Sequence, residues 1–281
     1  MPKKPPATKD TPPTQNSEPK KSFTVAPWAG ENEGEKMIVY GGEGMGKTTL
    51  ASMSPDPIFI GLDDGGRKIR HPKTGEPVKA VHGVETFEDL RDALHSPGLF
   101  DSGKTIVLDT ITVAEKRAEP YLFRTIKVGD QYPTNIEQYG FGKGYKHLLD
   151  IMRVLLQDCE THVRAGRNIL FLAQESAVRI ANPEGLDYLQ SGPALQHNNQ
   201  VSIRNEVCQW VDHVFHINHL NTRVAGKPDD RTGKAVGDST RAVYAAGARH
   251  FKAKSRTLSE DVISFETPDD DSLWQLLFGG E

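Results

Sequence analysis

The stretch VYGGEGMGKTTLA, residues 39–51, sets four glycines between the apolar run Met37–Tyr40 and the helix-competent Lys47–Met53. Glycine has no Cβ, tolerates positive φ and lets the backbone turn tightly and approach a ligand. A loop of this kind aims successive backbone N–H groups at one point, and the helix behind it adds the positive end of its dipole. That arrangement suits a polyphosphate. Gly41, Gly46, Lys47 and Thr48 fit the spacing G-x-x-x-x-G-K-[ST], in which the lysine reaches the β- and γ-phosphates and the hydroxyl ligates Mg²⁺. The cradle is expected from Gly42, Glu43, Gly44, Met45, Gly46, Lys47, Thr48 and Thr49.

Around this loop the chain is ordinary. Its 281 residues make one large domain or two small ones. With 36% hydrophobic and 26% charged residues the composition is that of a soluble globular protein. No run approaches the length of a membrane span, and the N-terminus lacks the apolar core of a secretory leader. Cys159 and Cys208 lie far apart and read as reduced thiols in or near a core, which implies a cytoplasmic protein. The net charge of −4 excludes a generic polyanion binder, so any nucleic-acid contact has to come from local basic patches.

Residues 1–25 are rich in Pro, Lys, Thr and Ser and are expected to be a disordered tail, with the folded part beginning near Phe23–Trp28. Beyond it, residues 26–281 are expected to form a single domain. KMIVY (36–40), PIFIGLDD (57–64), KTIVLDT (104–110), NILFLAQ (168–174) and VDHVFHI (211–217) read as strands. ETFEDLRDAL (85–94), with Thr86 and Asp89 spaced as a capping box, and residues 144–166, with Leu148, Met152, Leu155, Cys159 and Val163 at helical spacing, read as helices. Continuous apolar strands alternating with helices imply an α/β fold, a mostly parallel sheet covered on both faces. Short strands near 241–265 and a terminal helix at about 268–278, with acids in its first turn, complete the pattern. Residues 127–144 and 175–204 read as long irregular segments after the third and fourth strands, at the sheet edge where ligands of open α/β folds bind.

Other residues fit a nucleotide site. Asp109 ends the run TIVLD, where a carboxylate reaches the metal shell. Asp63 and Asp64 end FIGLDD, and one of them would activate water unless the pair serves only the Asp-Asp-Gly-Gly turn. Gln174 ends the fourth strand and either bonds the γ-phosphate or attacking water, or merely caps the strand. Lys252, Lys254 and Arg256 alternate, so a strand would present them on one face, either to solvent or to the γ-phosphate of a neighbouring subunit. His213, His216 and His219 lack the spacing of a zinc site, since alternation sends the first two to opposite faces.

In this order the parts resemble the RecA-like P-loop ATPases, and more closely the small phage AAA-type ATPases linked to single-strand annealing and recombination. The similarity covers roughly residues 35–266. GGEGMGKTT looks like their Walker A and TIVLDT like Walker B; LFLAQ looks like the strand that ends in a sensing glutamine. FIGLDDGG lies where the family ends a strand in a general base, usually Glu, which makes Asp64 the implied base with a shorter side chain. The resemblance implies ATP and Mg²⁺ as cofactors, Thr48 and Asp109 as metal ligands, and Lys254 and Arg256, with Lys252, as cations acting across a subunit interface.

It also implies that residues 127–144 and 175–204 are DNA-binding loops. Tyr132, Tyr139, Phe141 and Tyr145 could then stack on unpaired bases, or else pack their own loops, and Lys143, Lys146, Arg179 and Arg204 could hold phosphates. The implied activity is a DNA-dependent ATPase of the annealing or strand-exchange type. Its partners would be single-stranded DNA, further copies of itself in a head-to-tail ring or filament and a single-strand-binding protein, in the host cytoplasm and without a membrane. A second reading is a nucleotide-switched module that hydrolyses ATP poorly and docks a replication or recombination partner, with DDDSLWQLLFGGE as a candidate dock. A helicase or packaging motor ranks last, because no extra domain or helicase motif is present.

Overall fold

A strand that is apolar on both sides has to be covered on both sides, and the central strand here follows that rule. Strand β1 (Lys36–Gly41) is buried from Met37 to Gly41 and pairs in parallel with two strands from late in the chain, β5 (Asn168–Ile180) and β7 (His213–His219). The sheet extends on one side through β4 (Thr105–Asp109) and β2 (Pro57–Gly61) to the short edge strand β3 (Lys79–Val81), all parallel. On the other side β10 (Arg241–Tyr244) and β11 (Val262–Phe265) finish it antiparallel. The computed structural model describes residues 25, 32–63, 66, 68–183, 185–220, 223–225, 234–236 and 240–279. Asp64 and all of the tail except Val25 lie outside the described residues.

Alternate side chains of the strands feed two cores. Ile38, Tyr40, Ile60, Leu108 and Phe171 face helices α2 (Phe87–His95), α3 (Ile111–Thr125), α4 (Lys143–Arg164) and α5 (Ile203–Trp210). Val39, Phe59, Val107, Leu172 and Phe215 face α1 (Lys47–Ser52) and α6 (Ser272–Phe278). The expected α/β architecture, a mostly parallel sheet with helices on both faces, is therefore what the chain adopts. Helix α2 begins at the expected capping box, with Thr86 Oγ1 accepting from the Asp89 N–H and the Asp89 carboxylate accepting from the Thr86 N–H. Among the described residues no helix is long and apolar enough to cross a membrane.

The structure differs from the sequence reading in four places. Residues 175–204 are not irregular: β5 runs on to Ile180, turns, and returns as β6 (Tyr188–Pro193) in an antiparallel hairpin, with α5 after it. The hairpin projects beyond the covered sheet, so its side chains alternate in exposure and lack the continuous apolar signal of the inner strands. Helix α3 is absent from the sequence reading, because its buried stripe is thin in large apolar side chains: only Ile111 and Leu122 are large and apolar among Ile111, Thr112, Ala114, Glu115, Ala118 and Leu122, and Pro120 lies inside the helix. Helix α6 starts at Ser272, so the three acids Asp269–Asp271 precede it rather than occupy its first turn. Residues 248–256 form no strand; they run as a strap with single bridges from Phe251 to Ser191 and from Lys254 to Val214. Residues 136–139 form one turn of 3-10 helix, and β8 (Arg223–Ala225) pairs with β9 (Lys234–Val236) as a separate hairpin.

Candidate nucleotide site

Strand β1 ends at Gly41 and α1 begins at Lys47, so the glycine loop joins the middle of the sheet to a helix on its α1–α6 face. A Cβ on Gly41 would stand 2.4 Å from Ile217 O, which leaves room for glycine alone where the chain leaves the sheet. Gly46 has φ +93, and a Cβ there would meet Arg241 Nη1 at 2.6 Å. Arg241 braces the loop from beneath. Its Nη1 donates to Met45 O at 3.3 Å, and its guanidinium lies 4.7 Å from the Phe265 ring centroid. Glu43 and Gly44 form the exposed tip, while Gly42, Met45, Thr48 and Thr49 are half-buried.

The charged parts converge at the carboxyl ends of the strands. Lys47 Nζ donates to Gly41 O and Gly42 O, each at 2.8 Å. Burial lowers its pKa, opposed by the carboxylates of Asp109, Glu175, Glu43 and Asp63. Thr48 Oγ1 donates to Asp109 Oδ2 at 3.0 Å. Burial pushes the Asp109 carboxyl up to about 6, against the Thr48 bond. The hydroxyl–carboxylate pair is the hard-oxygen donor set that Mg²⁺ prefers, and the lysine beside it suits the phosphates. Asp63 lines a cavity of about 460 Å³ next to Asp109.

Gln174 lies level with Gly41 on the neighbouring strand. Its backbone N–H donates to Thr112 Oγ1 at 3.1 Å, and its side chain is exposed at the sheet edge. Walker A, Walker B and the glutamine are thus brought together, with Asp63 alongside.

The strap cations are not part of this chain's own loop. Lys254 sits level with Val214, which pairs with Ile38, three residues before Gly41 and so about 10 Å down the strand. Arg256 pairs with Asp212 Oδ1 at 3.1 Å and is 62% exposed, while Lys252 Nζ donates to Asn205 Oδ1 at 3.0 Å. Burial lowers the Lys254 pKa, with Arg256 adding to the effect. The histidines separate: His213 bonds Glu35 and Ser255, and His216 faces Glu175.

Two residues expected to touch DNA are structural instead. Tyr139 is buried, and its hydroxyl donates to Leu122 O at 3.1 Å and Ile126 O at 2.8 Å, which holds residues 136–139 onto α3. Arg204 is 0% exposed, and its Nη2 donates to Ser176 O at 3.0 Å and Ser176 Oγ at 2.5 Å. Each side chain closes its own loop from inside, which position in the sequence could not reveal. Phe141 is 98% exposed at φ +48 between two glycines of positive φ. Lys143 and Lys146 are exposed on the first turns of α4. Arg179 is exposed on the hairpin, 2.9 Å from Asp187. Tyr132 is exposed with the Lys127 ammonium 4.9 Å from its ring centroid, and Tyr145 donates to Glu137 at 2.7 Å.

Sequence reasoning missed Glu115, Glu175 and Arg241, since each acts through a partner distant in the chain. Glu115 is buried on α3 and accepts the Gln196 N–H at 2.9 and 3.1 Å from its two oxygens. Burial pushes its carboxyl from 4.5 up to about 7. A carboxyl raised on folding binds extra protons in the folded state, so across that window stability falls as pH rises. Glu115→Gln keeps an acceptor and removes the ionisation. It is expected to be more stable than wild type near pH 8, by at most about 3 kcal/mol and seen as a higher Tm, and to lose the advantage near pH 5. Thermal unfolding at both pH values checks this, and equal gains at both would refute it.

No match is found among curated proteins. Solved structures give remote likenesses. A KaiC-like protein of the archaeon Pyrococcus horikoshii OT3 is 14% identical, over 84% of this chain and 88% of that one, with a TM-score of 0.41. The flagellar accessory protein FlaH of Methanocaldococcus jannaschii is 10% identical, over 83% and 85%, with a TM-score of 0.40. An ATPase from the type III secretion system of pathogenic bacteria is 12% identical, over 66% of this chain and 52% of that one, with a TM-score of 0.38. The AAA-domain family AAA_24 matches residues 33–257, from the approach to β1 through the strap, and the chain belongs to this family of P-loop ATPases.

Proposed function

We propose that this P-loop ATPase works on single-stranded DNA in recombination, by annealing or strand exchange, as a head-to-tail oligomer. The observation that carries the reading is Phe141, an aromatic side chain held wholly in solvent between left-handed glycines and followed by exposed Lys143 and Lys146. An exposed ring beside cations is a stacking platform for unpaired bases. A Cβ on Gly142 would lie 3.4 Å from Gln200 Oε1, so this platform meets the segment that follows the hairpin. Arg179 adds a cation on the hairpin itself.

In this reading Lys47 and the loop amides hold ATP phosphates, and Thr48 with Asp109 holds Mg²⁺. The ion, when bound, neutralises charge on the phosphate oxygens. Asp64 orients water, and Gln174 passes the state of the phosphates to the hairpin. Lys254 and Arg256, with Lys252, complete the site of a neighbouring copy, which fits their distance from this chain's own loop. A single-strand-binding protein is a further partner in this scheme.

Steady-state ATP hydrolysis with and without single-stranded DNA tests the proposal. Strong stimulation by single strands is expected, and Phe141→Ala should raise the strand concentration for half-maximal stimulation by about tenfold. Tight ATP binding with no response to DNA would instead favour the nucleotide-switched module. The proposed dock of that module is already occupied: Leu273 and Trp274 are buried, and Trp274 Nε1 donates to Leu50 O at 2.8 Å.

A further inference from the structure

A set of bonds ties the β5–β6 hairpin to the strap. The Ser191 N–H donates to His250 O at 2.8 Å, and the Lys252 N–H donates to Ser191 O at 2.9 Å. Two residues on, Lys254 exchanges both backbone bonds with Val214 of β7, at 2.8 and 3.0 Å. The strap is thereby stitched to the hairpin on one side and to the sheet on the other.

Tyr40, just before the glycine loop, closes this arrangement. Its ring is 0% exposed and stacks on His216, with centroids 4.7 Å apart and planes 16° apart. Its hydroxyl donates to Lys252 O at 2.6 Å and reaches Ser191 O at 3.4 Å. Burial first, and then the Glu175 carboxylate, push the phenol up, so it remains a donor. Glu175 directly follows Gln174; its Oε1 is 3.3 Å from His216 Nε2, and its carboxylate feels the charge of Lys47. A phenylalanine would fill the same core. What the oxygen adds is a bond to the strap and a contact with the hairpin.

We propose that Tyr40 is a positioning residue for hydrolysis, whose hydroxyl pins the strap to the hairpin behind Gln174 and so holds Lys254 and Arg256 where the phosphates of a neighbouring copy would meet them. This rests on the reading above in which those cations complete a neighbour's site. The pin, the hairpin and the strap are then held together, because Tyr40, Ser191 and Lys252 are bonded to one another directly.

The test is Tyr40→Phe in the full chain. ATP affinity, read with a fluorescent ATP analogue, should stay within about twofold, and kcat should fall about tenfold, the effect of losing one well-placed hydrogen bond. A merely structural loss would not be repaired by a second protein, whereas a strap defect would. Adding the Lys47→Ala protein, inactive in its own loop but intact in its strap, should raise the turnover of Tyr40→Phe severalfold. Lys254→Ala serves as the comparison, with the same slow rate and the same repair. Slow Lys254→Ala alongside a wild-type rate in Tyr40→Phe, or a slow Tyr40→Phe that is not repaired, overturns the pin alone. Wild-type turnover in Lys254→Ala overturns the reading of the strap, and the pin with it.

Discussion

Lys47→Ala is expected to cut ATP turnover by about a hundredfold or more, measured as steady-state phosphate release. The ammonium is held by two carbonyl oxygens of the loop itself, Gly41 O and Gly42 O, and stands among the carboxylates of Asp109, Glu175, Glu43 and Asp63. Removing it leaves that acidic surround uncompensated at the place where phosphate charge has to be accepted. The loss should therefore appear in ATP binding as well as in kcat. Folding should be little affected, because Lys47 is only half-buried and the loop keeps its bond to Arg241. Turnover within about tenfold of wild type would mean that the catalytic charge comes from elsewhere.

Arg204→Ala is expected to destabilise the protein by about 3 kcal/mol or more. Arg204 is among the largest fully buried side chains. Truncation opens a cavity beneath the hairpin and strips Ser176 O and Ser176 Oγ of their shared donor. The guanidinium is nevertheless poorly satisfied, since among the described residues its Nε and Nη1 have no hydrogen-bond partner. Arg204→Met keeps the stem and removes the buried charge. It should lie within about 1–2 kcal/mol of wild type, because desolvating a cation offsets much of what its bonds supply. Urea unfolding midpoints of the two variants separate packing from charge. A stable Arg204→Ala with weakened strand binding would restore this residue to a DNA contact.

The fold was legible wherever burial is two-sided. The strands at 36–41, 57–61, 105–109 and 168–173 are continuous apolar runs because helices cover both their faces, and α2 and α4 carry full amphipathic stripes. Helix α3 was not legible, since alanines serve where helix and sheet approach closely. The hairpin was not legible either, because its pairing is decided beyond the core. At the site, a local motif announced Lys47 and Thr48, a strand end announced Asp109, and the end of an apolar run announced Gln174, although β5 itself continues to Ile180. Arg241 and Glu175 had no such signal: the first meets the loop from 195 positions or more away in sequence, and the second gains its meaning from His216 and Lys47. Tyr139 and Arg204 show the converse error. Residue type and loop position suggested surface chemistry, and the third dimension turned both side chains inward.

The pairing of β1 also sets an order of events on the ribosome. The glycine loop is written early, yet both neighbours of its strand come late: β5 begins at Asn168 and β7 at His213. The loop's brace is Arg241, and the hydrogen bond from Trp274 to the end of Leu50 comes later still. The loop therefore cannot be held in shape until almost the whole domain has emerged, and folding should be slow and dominated by distant contacts. A nascent chain stalled before β7 would carry the complete motif and bind no nucleotide, which makes ATP capture a report on the completion of this domain.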